Sequence, residues 1–327
     1  MKAIVIGLGS MGKRRIRLMK EIASDLEIIG IDSRADRREE AEEKFGIKTA
    51  AVLDDSVLSF GADRAFVCTS PLSHAAIISE CLDYGLHVFT EINLVRDGYE
   101  ENIRLAQEKG LVLFLSSTNL YSEERKYIAR CIRDSGKPVT YNYHIGQYLP
   151  DWHPWENYTD YFIGNAKTNG CREILTIEMP WIYKTFGDVI EFHVLKGKKT
   201  SLKTSFDDCY NILLRHESGA QGTFSVDVLS RKAVRNFEAY SEDLYLSWDG
   251  TPEGLNHYDI EHKCDNYVHL YDDVEHDDNY ASFITENAYK FEIEAFFRQI
   301  ADGVKSEYTF TDDIEVLDLI DRIEGIS

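Results

Sequence analysis

Lys2-Ala-Ile-Val-Ile6 runs without a break into Gly7-Leu8-Gly9-Ser10-Met11-Gly12, and Leu26-Glu-Ile-Ile-Gly-Ile31 stops on Asp32. The first run is continuously apolar, as a strand buried on both faces of a parallel sheet has to be. Each glycine answers a different need. Gly7 allows the sharp turn off the strand, Gly9 removes a side chain so that backbone can approach a pyrophosphate, and Gly12 lets the following helix lie close to the sheet. Ser10 and Met11 complete a turn whose helix N-terminus offers free N–H groups and partial positive charge to that pyrophosphate. Asp32 then stands where a carboxylate can accept both hydroxyls of a ribose. It disfavours a 2′-phosphate and so points to NAD. NADP stays open, because Ser33 and Arg34 follow at once and could hold such a phosphate if Asp32 turned away.

Beyond Asp32 the chain alternates. A charged helical period covers Ala35–Phe45, Ile47–Ala51 reads as extended, and the apolar strand Arg64–Cys68 runs into Thr69-Ser70-Pro71-Leu72-Ser73-His74. Ser73 is placed to cap a helix from His74 to Tyr84. Strand His87–Thr90, closed by Glu91, helix Tyr99–Lys109 and strand Leu111–Leu115 follow. In a doubly wound sheet, ligands gather at the carboxyl ends of the strands, so loops 69–74, 91–95 and 116–122 are expected around a nicotinamide.

Near Pro138 the period changes to two. Extended runs at Tyr141–Ile145, Val189–Leu195, Thr204–Arg215, Gly222–Leu229 and Asp243–Trp248, with a helix from about Arg172 to Phe186, indicate an α+β domain with a mostly antiparallel sheet. Helical period returns at Ala281–Ala301 and Thr311–Ile323. The first of these segments is expected to pack back on the first domain or across the sheet. The expected division is 1–120 and 121–327.

The 327 residues carry 36 basic and 57 acidic side chains, a net charge of −21 that disfavours any polyanionic partner such as nucleic acid. No apolar run approaches membrane-spanning length and no signal peptide opens the chain, so a cytoplasmic protein is expected. The six cysteines show no metal-ligand spacing and read as reduced thiols. Asp272–Asp278 reads as a solvated acidic loop, and no metal is expected.

In order along the chain, the glycine turn, Asp32, Thr69-x-Pro71-x-x-His74, Glu91 at a strand end, Asn119 after Leu115 and Tyr289-x-x-Glu292-x-x-x-Phe296 resemble the glucose–fructose oxidoreductase / inositol 2-dehydrogenase / rhizopine catabolism (Gfo/Idh/MocA) family. The resemblance implies an α/β Rossmann domain carrying NAD(P) and an α+β domain with a six-stranded open-faced sheet that mediates assembly into a homodimer or homotetramer. It also implies hydride transfer at a sugar, sugar-nucleotide or cyclitol carbon, with Thr69, Ser70, Pro71, His74, Glu91 and Asn119 near the cofactor. Two positions depart from it. Where the family reads Glu-Lys-Pro, this chain reads Glu91-Ile92-Asn93, and where the family carries a histidine on the second-domain helix this chain has Ile177 or Glu178.

An isoleucine moves no proton, and a positioned base contributes about 10²–10⁴-fold to such a reaction. Glu178 and His153 are the candidate replacements; as a structural group Glu178 would instead be solvated or paired with Arg172. Pro180 implies a kink or restart in that helix. The loop Gly146–Glu156 concentrates aromatics, prolines and carboxylates, a composition suited to a stiff wall against a sugar, with Gln147, Tyr148, Asp151, Trp152 and Trp155 as ligand contacts. Two functions are therefore expected to compete: an NAD(P)-dependent oxidoreductase, and a dinucleotide-binding sensor or regulatory partner that has lost the chemistry.

Overall fold

A computed structural model describes residues 1–153, 156–272, 274 and 285–326. By contact density these fall into two units, one comprising 1–117 and 289–317, the other 118–288 and 318–327.

In the first unit the elements alternate: β1 (Lys2–Ile6), α1 (Ser10–Ile22), β2 (Glu27–Ile31), α2 (Ala35–Phe45), β3 (Lys48–Ala50), α3 (Asp55–Leu58), β4 (Arg64–Val67), α4 (His74–Asp83), β5 (His87–Thr90), α5 (Tyr99–Lys109) and β6 (Leu113–Leu115). The strands form a parallel sheet in the order β3-β2-β1-β4-β5-β6. Chain order reverses between β1 and β4, and the glycine turn leaves β1 beside that switch point, where a crevice opens at the strand ends. The burial of Ala3, Ile4 and Val5 on both faces of β1 explains the unbroken apolar run.

Residues 289–317 complete the core of this unit. Phe296 meets the rings of Phe66, Phe89 and Phe114 at 5.4, 5.7 and 5.6 Å. Glu292, on the same helix, is fully buried against Arg15. The Tyr289-x-x-Glu292-x-x-x-Phe296 spacing thus marks one helix face, i, i+3, i+7, turned into the sheet.

The second unit contains α6 (Glu123–Ser135), β7 (Thr140–Gly146), α7 (Gly170–Phe186), β8 (Val189–Gly197), β9 (Cys209–His216), β10 (Gln221–Asp227), β11 (Val234–Tyr240), β12 (Tyr245–Trp248), β13 (Leu255–Asp259) and β14 (Cys264–Tyr267). Two further helices, α8 (Glu286–Asp302) and α9 (Phe310–Glu324), close the chain. Among the described residues this sheet has eight strands, β14-β13-β12-β11-β7-β10-β9-β8, all antiparallel neighbours except β7 and β10. The fold is therefore an α/β Rossmann domain plus an α+β domain with a mostly antiparallel sheet. The six strands implied by the resemblance are exceeded because β13 and β14, most of whose residues are exposed or partly buried, extend the edge by backbone pairing rather than by an apolar pattern.

One face of this sheet packs against α7, whose buried residues include Leu175, Met179, Trp181 and Ile182. Tyr143 stacks on Phe224 at 5.3 Å, and Tyr141 on Phe186 at 4.2 Å. Pro180 lies inside α7, which continues unbroken to Phe186, so the expected restart does not occur. Arg172 on the first turn is paired with Asp321 at 2.7 Å and with Glu324 of α9. Among the described residues no helix is long and apolar enough to cross a membrane.

Candidate functional site

The glycine turn of the first unit is built as its sequence demands. Gly7 has φ +93°, and a Cβ there would lie 2.6 Å from the Cys68 carbonyl oxygen. At Gly12 a Cβ would fall 1.9 Å from the Gly7 carbonyl, so only glycine lets α1 start this close to β1. Gly9 is different. A Cβ there would meet only the Arg37 side chain, 3.6 Å away, so the protein itself has no packing need for glycine at this position. The space is what a pyrophosphate needs at the start of a helix whose first N–H groups point outward.

Asp32 is nearly buried and its carboxylate grips the turn: Leu8 N–H donates to Oδ2 and Arg34 N–H to Oδ1, each at 2.9 Å. Each oxygen keeps a second lone pair for a ribose hydroxyl. Arg37 Nη1 lies 3.6 Å from Oδ2. Sequence reading passed over Arg37, although its place one turn into α2 puts a cation above both Gly9 and Asp32. Ser33 and Arg34 are exposed, and the Arg34 guanidinium is engaged with Asp36, Nε to Oδ1 at 3.1 Å. A 2′-phosphate would have to displace both that pairing and the anchored Asp32.

The loop after β4 is short and stiff. Pro71 is buried in its first turn, Ser73 Oγ donates to Thr69 Oγ1 at 2.9 Å, and Ser70 is exposed. The Ser73 side chain makes no cap to α4. His74 is buried, its Nε2 donating to the Thr69 carbonyl at 3.0 Å and its Nδ1 lying 2.7 Å from the Asn93 amide. Burial holds its pKa below the usual histidine value, so this ring is a neutral brace between two loops.

Glu91 points into the domain. Arg15 Nε donates to Oε1 at 2.7 Å and Nη2 to Oε2 at 3.2 Å, while Nη2 also reaches Glu292 at 2.8 Å and Ser116 at 3.2 Å. The guanidinium is stacked over Phe89 at 4.5 Å. Both Glu91 oxygens are thus committed to a buried ion network below the turn. Burial, with the charge of Glu91 adding to it, raises the Glu292 carboxyl above its usual range.

In the second unit, Asn119 Nδ2 donates to the Ile177 carbonyl at 3.0 Å. Ile177 lies on the half-exposed side of α7, and Glu178 is turned inward at 1% exposure. Arg235 reaches Glu178 Oε1 at 3.0 Å; Tyr143 and Trp181 donate to Oε2 at 2.7 Å, with Arg125 at 3.5 Å. Against the opposing effect of burial, Arg235 and Arg125 hold its pKa below the usual carboxylate range. A carboxylate so enclosed has its oxygens committed to these partners. The arginine partners of Glu178 are thus Arg125 and Arg235 rather than Arg172, and this geometry gives its acid–base role no support.

The loop after β7 is fixed to the one after β10, with Tyr148 N–H donating to the Ser230 carbonyl at 2.7 Å and Leu149 N–H to that of Val228 at 3.0 Å. Trp152 Nε1 donates to the Gln147 carbonyl at 3.0 Å, and Arg231 stacks over Tyr148 at 4.0 Å. Asp151 is exposed. His153 stacks on Tyr161 at 4.9 Å and faces Glu156 at 3.6 Å. Trp155 lies outside the described residues.

The class these features define is a dinucleotide-binding Rossmann domain followed by a second, α+β domain. Residues 1–117 match the model of the GFO_IDH_MocA oxidoreductase family, NAD-binding Rossmann fold. Two curated relatives match by sequence. A 4-carboxy-2-hydroxymuconate-6-semialdehyde dehydrogenase of a Sphingobium species is 29% identical over 133 residues, 39% of this chain and 42% of that protein. Mouse (Mus musculus) biliverdin reductase A is 31% identical over 131 residues, 39% of this chain and 43% of that protein. The matches thus span about two-fifths of these relatives.

Solved structures extend the likeness in fold to the whole chain. A UDP-N-acetylglucosamine 3-dehydrogenase from Acidithiobacillus ferrooxidans has a TM-score of 0.76 at 17% identity, covering 100% of this chain and 97% of its own. A myo-inositol 2-dehydrogenase from Lactobacillus plantarum has 0.79 at 14%, covering 100% and 96%. An oxidoreductase from Agrobacterium radiobacter, solved with NAD⁺, L-tartaric acid and magnesium, has 0.82 at 12%, covering 100% and 96%.

Proposed function

We propose that this protein is an NAD(P)-dependent oxidoreductase acting on a hydroxyl or carbonyl of a sugar, sugar nucleotide or cyclitol. The observation that carries the reading is the glycine turn with Asp32 bound to it, since the turn leaves open at Gly9 the space that the protein does not use. Gly7, Gly9, Ser10, Met11, Gly12 and Asp32 would hold the dinucleotide; Thr69, Ser70, Pro71 and His74 would shape its nicotinamide end, with Glu91 holding the neighbouring loop through Arg15. When bound, the cofactor supplies hydride transfer at nicotinamide C4. The sugar-related part of the reading is supported by the names of two structural neighbours and by the aromatic loop bearing Gln147, Tyr148, Asp151 and Trp152. The curated relatives act on other compounds, which fits a match confined to the cofactor domain. A homo-oligomer formed through the second sheet is supported by Ile190, Leu195 and Leu213, more than half exposed on β8 and β9.

A second reading, a dinucleotide-binding sensor without turnover, is favoured by Ile92 and Ile177, where no proton can be moved. Titration calorimetry with NAD⁺ and NADP⁺ tests the shared part: one of them binds, and failure of both at millimolar concentration overturns both readings. Growth of reduced-nicotinamide absorbance with a panel of nucleotide sugars and cyclitols selects the oxidoreductase. Binding without any such growth selects the sensor.

A further inference from the structure

In the second sheet β7 and β10 are parallel neighbours, so the chain leaves both strands at the same end. Their close approach is built in, since a Cβ on Gly146 would lie 2.4 Å from Oδ2 of Asp227. Asp227 is buried and ties the loop after β10 into a turn. It accepts from the N–H groups of Leu229 and Ser230 at 3.0 and 2.8 Å and from the Ser230 hydroxyl at 3.0 Å, and His144 Nε2 lies 2.8 Å from Oδ2. That turn carries Arg231 and Lys232, both exposed, and the Arg231 guanidinium lies over the Tyr148 ring at 4.0 Å. The facing loop is equally fixed: Tyr148 N–H is bound to the Ser230 carbonyl, and a Cβ on Gly170 at the start of α7 would come 2.9 Å from Leu149 and 3.5 Å from the Trp152 ring.

Among the described residues Arg231 has no carboxylate within salt-bridge reach, Asp151 of the facing loop included. Arginines on the neighbouring strands are paired, Arg235 of β11 with Glu178 at 3.0 Å and Arg215 of β9 with Glu191 at 2.9 Å. In a chain of net charge −21, an arginine held in place yet left without an anion needs a reason. The Tyr148 ring occupies one π-face of the guanidinium only. Its N–H groups, which lie in the plane, stay free, and that planar fork matches the oxygens of a phosphate or a carboxylate. We propose that Arg231, shelved on Tyr148 and backed by the charge of Lys232, recognises an anionic group of the substrate, so that this loop takes a sugar bearing a phosphate or a carboxylate and not a neutral cyclitol. The stack holds the guanidinium before the ligand arrives, which lowers the ordering cost of binding. The Trp152 and Tyr148 rings offer apolar surface to the uncharged part of the sugar.

The inference rests on the sugar-related reading above and concerns the second unit only. The test saturates the intact protein with NAD⁺, so that the glycine turn is filled, and titrates UDP-N-acetylglucosamine, glucuronate and myo-inositol by calorimetry. One of the two charged probes is expected to bind more tightly than myo-inositol, the nucleotide sugar marking phosphate and glucuronate marking carboxylate as the recognised group. Arg231→Met is expected to weaken that probe about 10–100-fold, and Arg231→Lys to recover part of the loss. Tyr148→Leu, which removes the shelf but keeps the charge, is expected to weaken it less than Arg231→Met. NAD⁺ affinity and the melting temperature should be unchanged in the Arg231 variants, since that side chain is exposed. Equal or tighter binding of myo-inositol, no binding of either charged probe while NAD⁺ still binds, or an Arg231→Met protein that holds the charged probe as tightly as the wild type overturns the inference. Failure of the wild type to bind NAD⁺ overturns instead the oxidoreductase reading.

Discussion

Replacing Glu178 by alanine separates its structural role from the catalytic one its sequence position suggests. The side chain is 1% exposed and satisfies two arginines, a tyrosine and a tryptophan. Its removal leaves Arg125, 5% exposed, and the partly buried Arg235 without their anion, and breaking a buried pair by deleting one partner costs about 3–5 kcal/mol. In a unit of roughly 180 residues, each kcal/mol moves the melting temperature by about 2–4 °C, so a fall of roughly 6–20 °C is expected.

The four tryptophans, at 152, 155, 181 and 248, all belong to the second unit, so their fluorescence in a urea or thermal scan follows this unit selectively. NAD⁺ affinity measured by calorimetry should be unchanged. The pH dependence has a definite sign. Because the folded pKa of Glu178 is lowered, its stabilisation is present above the unfolded value of about 4.3 and is lost as pH falls through the folded one. The gap between wild type and variant should therefore narrow on acidification. An alanine variant with wild-type melting and a large loss of turnover would refute this reasoning and return Glu178 to the chemistry.

Gly9→Ala should fold normally, the nearest protein atom being the flexible Arg37 end, yet bind NAD⁺ at least about tenfold more weakly by calorimetry; unchanged binding would remove the pyrophosphate from that turn. Gly12→Ala should instead yield little folded protein by circular dichroism, because its Cβ would overlap the Gly7 carbonyl. Arg15→Met leaves Glu91 and Glu292 buried together without their cation, and should lower stability by about 3–5 kcal/mol in denaturant titrations followed by circular dichroism. Glu173→Gln should stabilise the protein at alkaline pH by about 2–3 kcal/mol. A carboxyl raised to about 7 favours the folded state below its unfolded value of about 4.3 and loses that advantage as pH rises to about 7. Parallel melting curves for wild type and variant from pH 5 to pH 9 would contradict this.

The opening turn could be read from sequence because each requirement is local. Backbone curvature fixes Gly7, contact with the preceding turn fixes Gly12, and an apolar strand buried on two faces declares itself in five residues. The switch from alternating elements to successive strands was equally visible, since a period of two or 3.6 is a property of neighbouring residues. The three strands β11, β13 and β14 were not, because most of their residues are exposed or only partly buried and their pairing is set by strands distant in sequence.

The residues that settle the second unit depend on direction around a helix. Ile177, Glu178 and Glu173 occupy one short stretch, and composition alone cannot say which faces in; the packing of α7 on β7 and β11 turns Glu178 to Arg125 and Arg235 and leaves Glu173 unpaired on the other side. The sequence by itself determined a dinucleotide-binding domain followed by a sheet-bearing one, because those rest on contacts between near neighbours. Only the tertiary structure decided which carboxylates are buried counter-ions and which lack a cation, because that depends on the charges that distant strands and helices bring within a few ångströms.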